Sequence, residues 1–88
     1  MEQLTHDQLR QRVNQIMCQL FEFEPAELSP EKNLFSDLDL DSLDAIDLVI
    51  SFQREFKFKP ENSELQQIRH VSDIHELVIR HYDRNVSH

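Results

Sequence analysis

Apolar residues recur at helical spacing in three stretches of this chain. Leu9, Val13, Ile16, Met17 and Leu20 fall three or four positions apart. Thr5 and Gln8, just ahead of them, fit a capping box, in which each side chain satisfies the other residue's backbone N–H. The pattern predicts a first helix that Pro25 ends. A second helix begins at Asp41, a favourable N-cap, and Asp44 adds negative charge to its first turn, where the macrodipole favours it. At steps of ~100° per residue, Asp44, Asp47, Ser51, Arg54 and Glu55 share one polar arc. Leu43, Ala45, Ile46, Leu48, Val49, Ile50, Phe52 and Phe56 occupy the other, which is wider than a surface helix needs. The helix is therefore central, or it keeps part of that arc for partners.

Beyond Lys57-Phe58-Lys59, Pro60 stops any continuation. Residues 61–68 predict a short third helix pinned by Leu65 and Ile68. A last helix from about Ser72 to Tyr82 turns Ile74, Leu77, Val78 and Tyr82 inward. Only Leu38-Asp39-Leu40-Asp41 alternates like a strand, and it is too short to form one. The expected fold is all-α: a small four-helix bundle, three longer helices and one short, with a long loop from Glu24 to Asp41 between the first and second. Leu28, Leu34, Phe35 and Leu38 would pin that loop, which at this length is functional or packed down by its own side chains. Residues 1–88 read as one domain, with an ordered core of about 5–82 and a frayed tail over 83–88.

Composition narrows the function classes. The 88 residues include six Phe and are 39% apolar, enough for one core despite 30% charged positions, so wholesale disorder is rejected. There is no glycine, which excludes the Gly-rich loops of Walker and dinucleotide-binding sites. A single cysteine, Cys18, excludes an internal disulfide framework and multi-cysteine zinc sites, and reads as a half-buried small apolar residue. Apolar runs such as Leu48-Val49-Ile50 fall far short of a membrane span, and the N-terminus lacks the basic and apolar regions of a signal peptide. The expected address is a reducing cytoplasm.

The net charge of −8 is concentrated. Glu22 to Asp47 contain nine acids and one base, Lys32, whereas the remainder carries eight of each. Nucleic-acid binding needs the opposite sign. A one-sided acidic segment suits protein partners with basic patches, which it steers and orients.

The acids centre on residues 34–49, LFSDLDLDSLDAIDLV. A calcium loop begun at Asp37 would place Asp39 and Asp41 correctly, but it meets Ser42 where glycine belongs and Leu48 where the bidentate glutamate belongs. An aspartyl nucleophile needs a buried strand and further phosphate and metal ligands, which this chain lacks. Ser42 has neither the glycines of a nucleophile elbow nor a nearby His as base. The five histidines, His6, His70, His75, His81 and His88, show no i,i+4 pairing and are expected on the surface. No catalytic or metal-ligating set emerges. Ser42 remains either an ordinary first-turn residue or a substrate, since a phosphate attached there would meet open backbone N–H groups and the positive end of the helix dipole.

Asp41-Ser42-Leu43, followed by Asp44 and Asp47, resembles the acyl carrier protein family, in which a G-x-D-S-L turn receives 4′-phosphopantetheine on its serine. The likeness extends over most of the chain. It takes in a first helix, a long loop ending in Phe35-Ser36-Asp37-Leu38, a Phe-terminated second helix (Phe56), a Pro-led short helix and a final helix beginning near Val71. The resemblance implies a carrier, not an enzyme: the thiol of an arm on Ser42, flanked by Asp41 and Leu43, would hold acyl groups as thioesters. Its implied partners are a phosphopantetheinyl transferase and the acyltransferases, ketosynthases, ketoreductases and dehydratases of a fatty-acid- or polyketide-type synthase. Asp37, Asp39, Asp44, Asp47, Ile46 and Ile50 are the expected partner-facing residues, and a monomer is the expected state. A peptidyl carrier of a non-ribosomal synthetase and an unmodified acidic interaction module are the alternatives.

Two features depart from the family pattern. Its glycine two residues before the Asp is Asp39 here, which is expected to leave the loop without a residue suited to positive φ. Its acids further along the second helix give way to Gln53 and Arg54, with Lys57 and Lys59 beyond. The LDLDSLDAIDL stretch looks most like specialised bacterial type II carriers, including the aryl-polyene and polyketide kinds. Phe52, Phe56 and Phe58 are candidates to line a cleft for an unsaturated or aromatic chain.

Overall fold

A computed structural model describes residues 4–86 of the chain. They form α1 (His6–Phe21), a 3-10 turn over Pro25–Glu27, α2 (Ser42–Phe56), α3 (Asn62–Gln66) and α4 (Val71–Val86). The described residues contain no strand, only an isolated antiparallel bridge between Asn33 and His70. The four-helix architecture is the one the apolar spacing predicts.

Helix starts follow their capping residues. Thr5 Oγ1 accepts the Gln8 N–H at 3.1 Å while Gln8 Oε1 accepts the Thr5 N–H at 2.8 Å. α1 does not run on to Pro25. It stops at Glu22, which turns left-handed at φ 60° and gives its N–H to the Cys18 carbonyl at 2.9 Å. α2 ends the same way on Lys57, at φ 54°. At the start of α4, Asp73 Oδ2 accepts the N–H groups of Arg69 and His70, each at 2.9 Å. α4 extends to Val86, four residues past the expected Tyr82, so positions 83–86 are helical. Positions 87 and 88 of the expected tail lie outside the described residues.

α1 packs on both α4 and α2, and α2 also meets α4. Leu9, Val13 and Met17 from α1, Leu48 and Phe52 from α2, and Ile74, Leu77 and Val78 from α4 are buried together. The loop adds Leu28, Leu34, Leu38 and Leu40, which dock it on the bundle. Leu20 is exposed, and Cys18 and Phe21 on either side of it pack against the core in its place. No helix among the described residues is long and apolar enough to cross a membrane.

Two histidines expected at the surface are buried, His75 at 5% and His81 at 7% exposure. His75 Nε2 lies 2.9 Å from Asn14 Oδ1, bridging α4 to α1. Burial, with the Arg10 guanidinium adding to it, pushes the His75 pKa down to about 4. The imidazole therefore sits in the bundle as a neutral donor.

Candidate functional site

The loop ahead of α2 is built by short polar side chains. Asn33 Oδ1 accepts the N–H groups of Phe35 and Ser36 at 2.9 and 3.0 Å, and Asp37 Oδ2 accepts the Asn33 N–H at 2.8 Å. Backbone bonds add Leu38 N–H to the Asn33 carbonyl at 3.1 Å and Leu40 N–H to that of Leu34 at 3.0 Å. The same loop is tied to the start of α4: Leu34 N–H donates to the Arg69 carbonyl at 2.8 Å and Val71 N–H to that of Lys32 at 3.0 Å. Sequence reasoning missed Asn33, although an Asn two residues ahead of an amide it can bind is the usual signal of such a turn.

The chain then turns sharply at Asp39, with φ 59°. This corrects the expectation that the loop has no residue for positive φ. Asp takes the left-handed region more readily than most residues because its short polar side chain tolerates the geometry. Asp41, in extended conformation, caps α2: its Oδ1 accepts the Asp44 N–H at 2.9 Å, and Asp44 Oδ2 accepts the Asp41 N–H at 3.2 Å.

Ser42 is the first residue of α2 and is exposed. Its hydroxyl has no hydrogen-bond partner among the described residues, and the backbone N–H groups of Ser42 and Leu43 likewise meet no acceptor there. An accessible oxygen nucleophile thus stands beside two open donors at the positive end of a helix. That donor set fits a phosphodiester.

The acids around it divide by what they do. Asp37, Asp41 and Asp44 hold backbone N–H groups. Asp39 and Asp47 carry no hydrogen bond or ion pair among the described residues and are both exposed. No group of three or more His, Cys, Asp or Glu among the described residues is placed to hold a metal ion.

Leu43, Ile46 and Ile50 are 72%, 54% and 40% exposed, so the apolar arc of α2 is wide because part of it faces solvent. At ~100° per residue, Leu43, Asp47, Ile50 and Arg54 form one stripe along the helix. Its sign runs from negative beside Ser42 to positive at Arg54 and Lys57.

On the flank of that stripe, a groove of about 420 Å³ reaches from Ser42 between α2, α3 and α4. Ala45, Leu48, Val49 and Phe52 line one wall, Leu65 and Ile68 another, and Leu34, Ile74 and Leu77 the floor. Of the three phenylalanines suggested by sequence, only Phe52 faces it. Phe56 lines a different cavity, with Arg12 and Tyr82, and Phe58 is buried against His81.

Residues 11–78 match the family described as "Phosphopantetheine attachment site". The chain is 38% identical over 73 residues to acyl carrier protein 2 of Ralstonia nicotianae, an overlap of 81% of this chain and 88% of that protein. It is 32% identical over 75 residues to the acyl carrier protein of Coprothermobacter proteolyticus, covering 85% and 92% of the two chains. A meromycolate extension acyl carrier protein of Mycobacterium leprae is 27% identical over 71 residues, which is 81% of this chain and 62% of that one.

Proposed function

The chain belongs to the acyl carrier protein family, and on that premise we propose that Ser42 bears the arm and that the exposed stripe of α2 is the surface it shows to its enzymes. As a family member the protein is a carrier and not an enzyme: a phosphopantetheinyl transferase attaches 4′-phosphopantetheine to it covalently. When bound, the arm supplies a thiol on which an acyl group rides as a thioester.

The observation that carries the Ser42 assignment is the unpartnered hydroxyl beside two open N–H groups, at a helix start already fixed by the Asp41 and Asp44 box. Ser42 Oγ attacks the pantetheine-side phosphorus of coenzyme A and gives up its proton to the transferase, while the pyrophosphate bond breaks and 3′,5′-ADP leaves. The amides of Ser42 and Leu43 are the groups that would face the resulting phosphate. The apolar groove opening beside Ser42 is the berth for an acyl chain, lined by alkyl and phenyl side chains with few polar ones. Around the attachment point Asp39 and Asp47 steer basic enzyme mouths, and Leu43, Ile46 and Ile50 make the apolar part of the contact. Small, charge-steered contacts of this kind form and release quickly, as a carrier serving several enzymes in turn requires.

Intact mass after incubation with coenzyme A, magnesium and a broad-specificity transferase tests the assignment. The parent gains one phosphopantetheine and Ser42→Ala gains none. A gain that survives Ser42→Ala moves the site elsewhere, and no gain in the parent beside a modified control carrier favours an unmodified interaction module.

The folding unit, residues 5–86 with the whole of α4, would act as a single monomeric carrier in the cytoplasm. The change of sign along α2 supports a dedicated pathway over a housekeeping fatty-acid synthase, because a uniformly basic docking groove would meet repulsion at Arg54, Lys57 and Lys59. The likeness of LDLDSLDAIDL to specialised type II carriers supports one of the polyketide or aryl-polyene kind. Replacing Gln53 and Arg54 by Glu should raise kcat/KM with housekeeping synthase enzymes. Unchanged coupling would remove the basis for a dedicated pathway.

A further inference from the structure

Of the walls around the groove, α3 is the least secured by burial. It has five residues, and none of them is buried. A helix so short has no stability of its own. Leu65 alone packs partly against the core, so a second anchorage is needed where Asn62, Leu65 and Gln66 border the groove.

Glu64 provides it through four contacts. Its Oε1 accepts the Glu61 N–H at 3.0 Å, which closes the helix's own capping box. The same carboxylate reaches α4, where Arg80 Nη1 lies 3.0 Å from Oε2 and His81 Nε2 lies 3.1 Å from each oxygen. The His81 ring is in turn stacked on Phe58, with centroids 4.7 Å apart and planes 17° from parallel, so the loop leaving α2 fixes the imidazole. The contact is largely withdrawn from water, the Glu64 and His81 side chains being 15% and 8% exposed. The Glu61 N–H holds the Glu64 carboxyl below its ordinary pKa against the opposing effect of burial, and His81 and Arg80 add to that lowering. A carboxylate in such a setting is a strong acceptor.

The facing wall has a different anchorage. α2 buries Leu48 and Phe52 in the core, so it cannot swing outward without unpacking the bundle. Any widening of the groove must therefore come from α3, and Glu64 is the polar tether that resists it.

We propose that Glu64, gripped by His81 and Arg80, is a positioning residue that holds α3 to α4 and so sets how far the groove admits the acyl chain on Ser42. This rests on the reading of Ser42 as the attachment point and of the groove as the chain's berth. The device distinguishes cargo by length: a short acyl group ends near the mouth and does not sense α3, whereas a longer one lies against Leu65 and Ile68 and does.

The test uses the full chain loaded with butyryl- or octanoyl-phosphopantetheine, checked by intact mass, and follows thioester cleavage by hydroxylamine. In the parent the octanoyl form is cleaved more slowly than the butyryl form. In Glu64→Ala the octanoyl form is cleaved about tenfold faster than in the parent, as expected for loss of a charge-assisted hydrogen bond that keeps the groove closed, and the butyryl rate is little changed. Glu64→Gln, which keeps one acceptor oxygen, recovers part of the protection. His81→Phe, which keeps a ring against Phe58 but loses the donor, repeats the Glu64→Ala result and serves if that variant does not fold. An unaltered octanoyl-to-butyryl ratio in the variants, or equal acceleration of both forms, overturns the proposal. A parent that loads but shows no dependence on chain length removes the berth and the tether's role with it, whereas a parent that does not load removes the Ser42 assignment first.

Discussion

Asp39 shows how a chain without glycine makes its tightest turn. Among the described residues Glu22, Asp39 and Lys57 have positive φ, and all three are charged. Glu22 and Lys57 cap the ends of α1 and α2, away from Ser42 in sequence, whereas Asp39 stands three residues before it. Asp39→Gly should stabilise the protein by about 0.5–1 kcal/mol, less the extra entropy of a glycine in the unfolded chain, and raise the urea midpoint at unchanged m. No gain would mean that the Asp side chain compensates fully for the geometry. At His75 the pH dependence has a definite sign. Its folded pKa of about 4 lies below the ordinary 6.5, so the unfolded chain binds a proton that the fold refuses, and stability falls as pH drops from 6.5 towards 4, by up to about 3 kcal/mol. His75→Gln, which keeps a donor for Asn14, should flatten that limb in urea titrations across the window. Glu64 and Asp73 act at lower pH, where their depressed carboxyls finally protonate; in Asp73 the Arg69 and His70 N–H groups outweigh a burial effect that would raise it. Neither histidine's burial could be read from spacing, because a lone His on a helix joins the core only if a partner such as Asn14 or Glu64 arrives from a distant segment.

Helix starts were the most legible elements, since Thr5–Gln8 announces a box and Asp41 an N-cap; that Asp44 closes a second box on Asp41 is seen in the structure. Helix ends were less so. α1 stops on a left-handed glutamate that nothing in local sequence marks, and α4 outruns its apolar pattern to Val86. The motif around Ser42 and its family were legible, whereas the groove was not, because its walls come from α2, α3 and α4 together. The sequence marks Asp41 as the N-cap of α2, and the structure adds that Asp44 returns the bond to Asp41 while Asp47 carries no side-chain partner among the described residues. Asp41→Ala removes the N-cap and should cost about 1 kcal/mol and, on the proposed assignment of the arm to Ser42, slow its attachment. Asp47→Asn should leave stability within about 0.5 kcal/mol, yet lower the transferase's kcat/KM and its sensitivity to salt. Equal loss of stability in the two variants, read from denaturant midpoints, would contradict the division.

At the scale of the whole molecule, α1 is packed on both α2 and α4, and the groove beside Ser42 lies between α2, α3 and α4. Phe52 belongs to both regions, being part of the core and of the groove wall, so Phe52→Ala should cost about 3–5 kcal/mol, a large share of what a domain this size has in reserve. The loop ahead of Ser42 and the start of α4 are joined by the Leu34-to-Arg69 and Val71-to-Lys32 bonds, and Ser72 N–H donates to the Pro30 carbonyl at 3.0 Å. Segments nearly forty positions apart are thereby fastened at the two points that bracket α2 and α3 in the chain. In hydrogen exchange, the amides of Leu34, Val71 and Ser72 should lose their protons to solvent together and slowly, while those of α3 exchange early. Of the excursion between the fastenings, α2 stays rooted in the core and α3 is the flap hung from a closed frame: on the proposed reading of the groove, it can breathe for cargo many times over without the serine's loop coming undone.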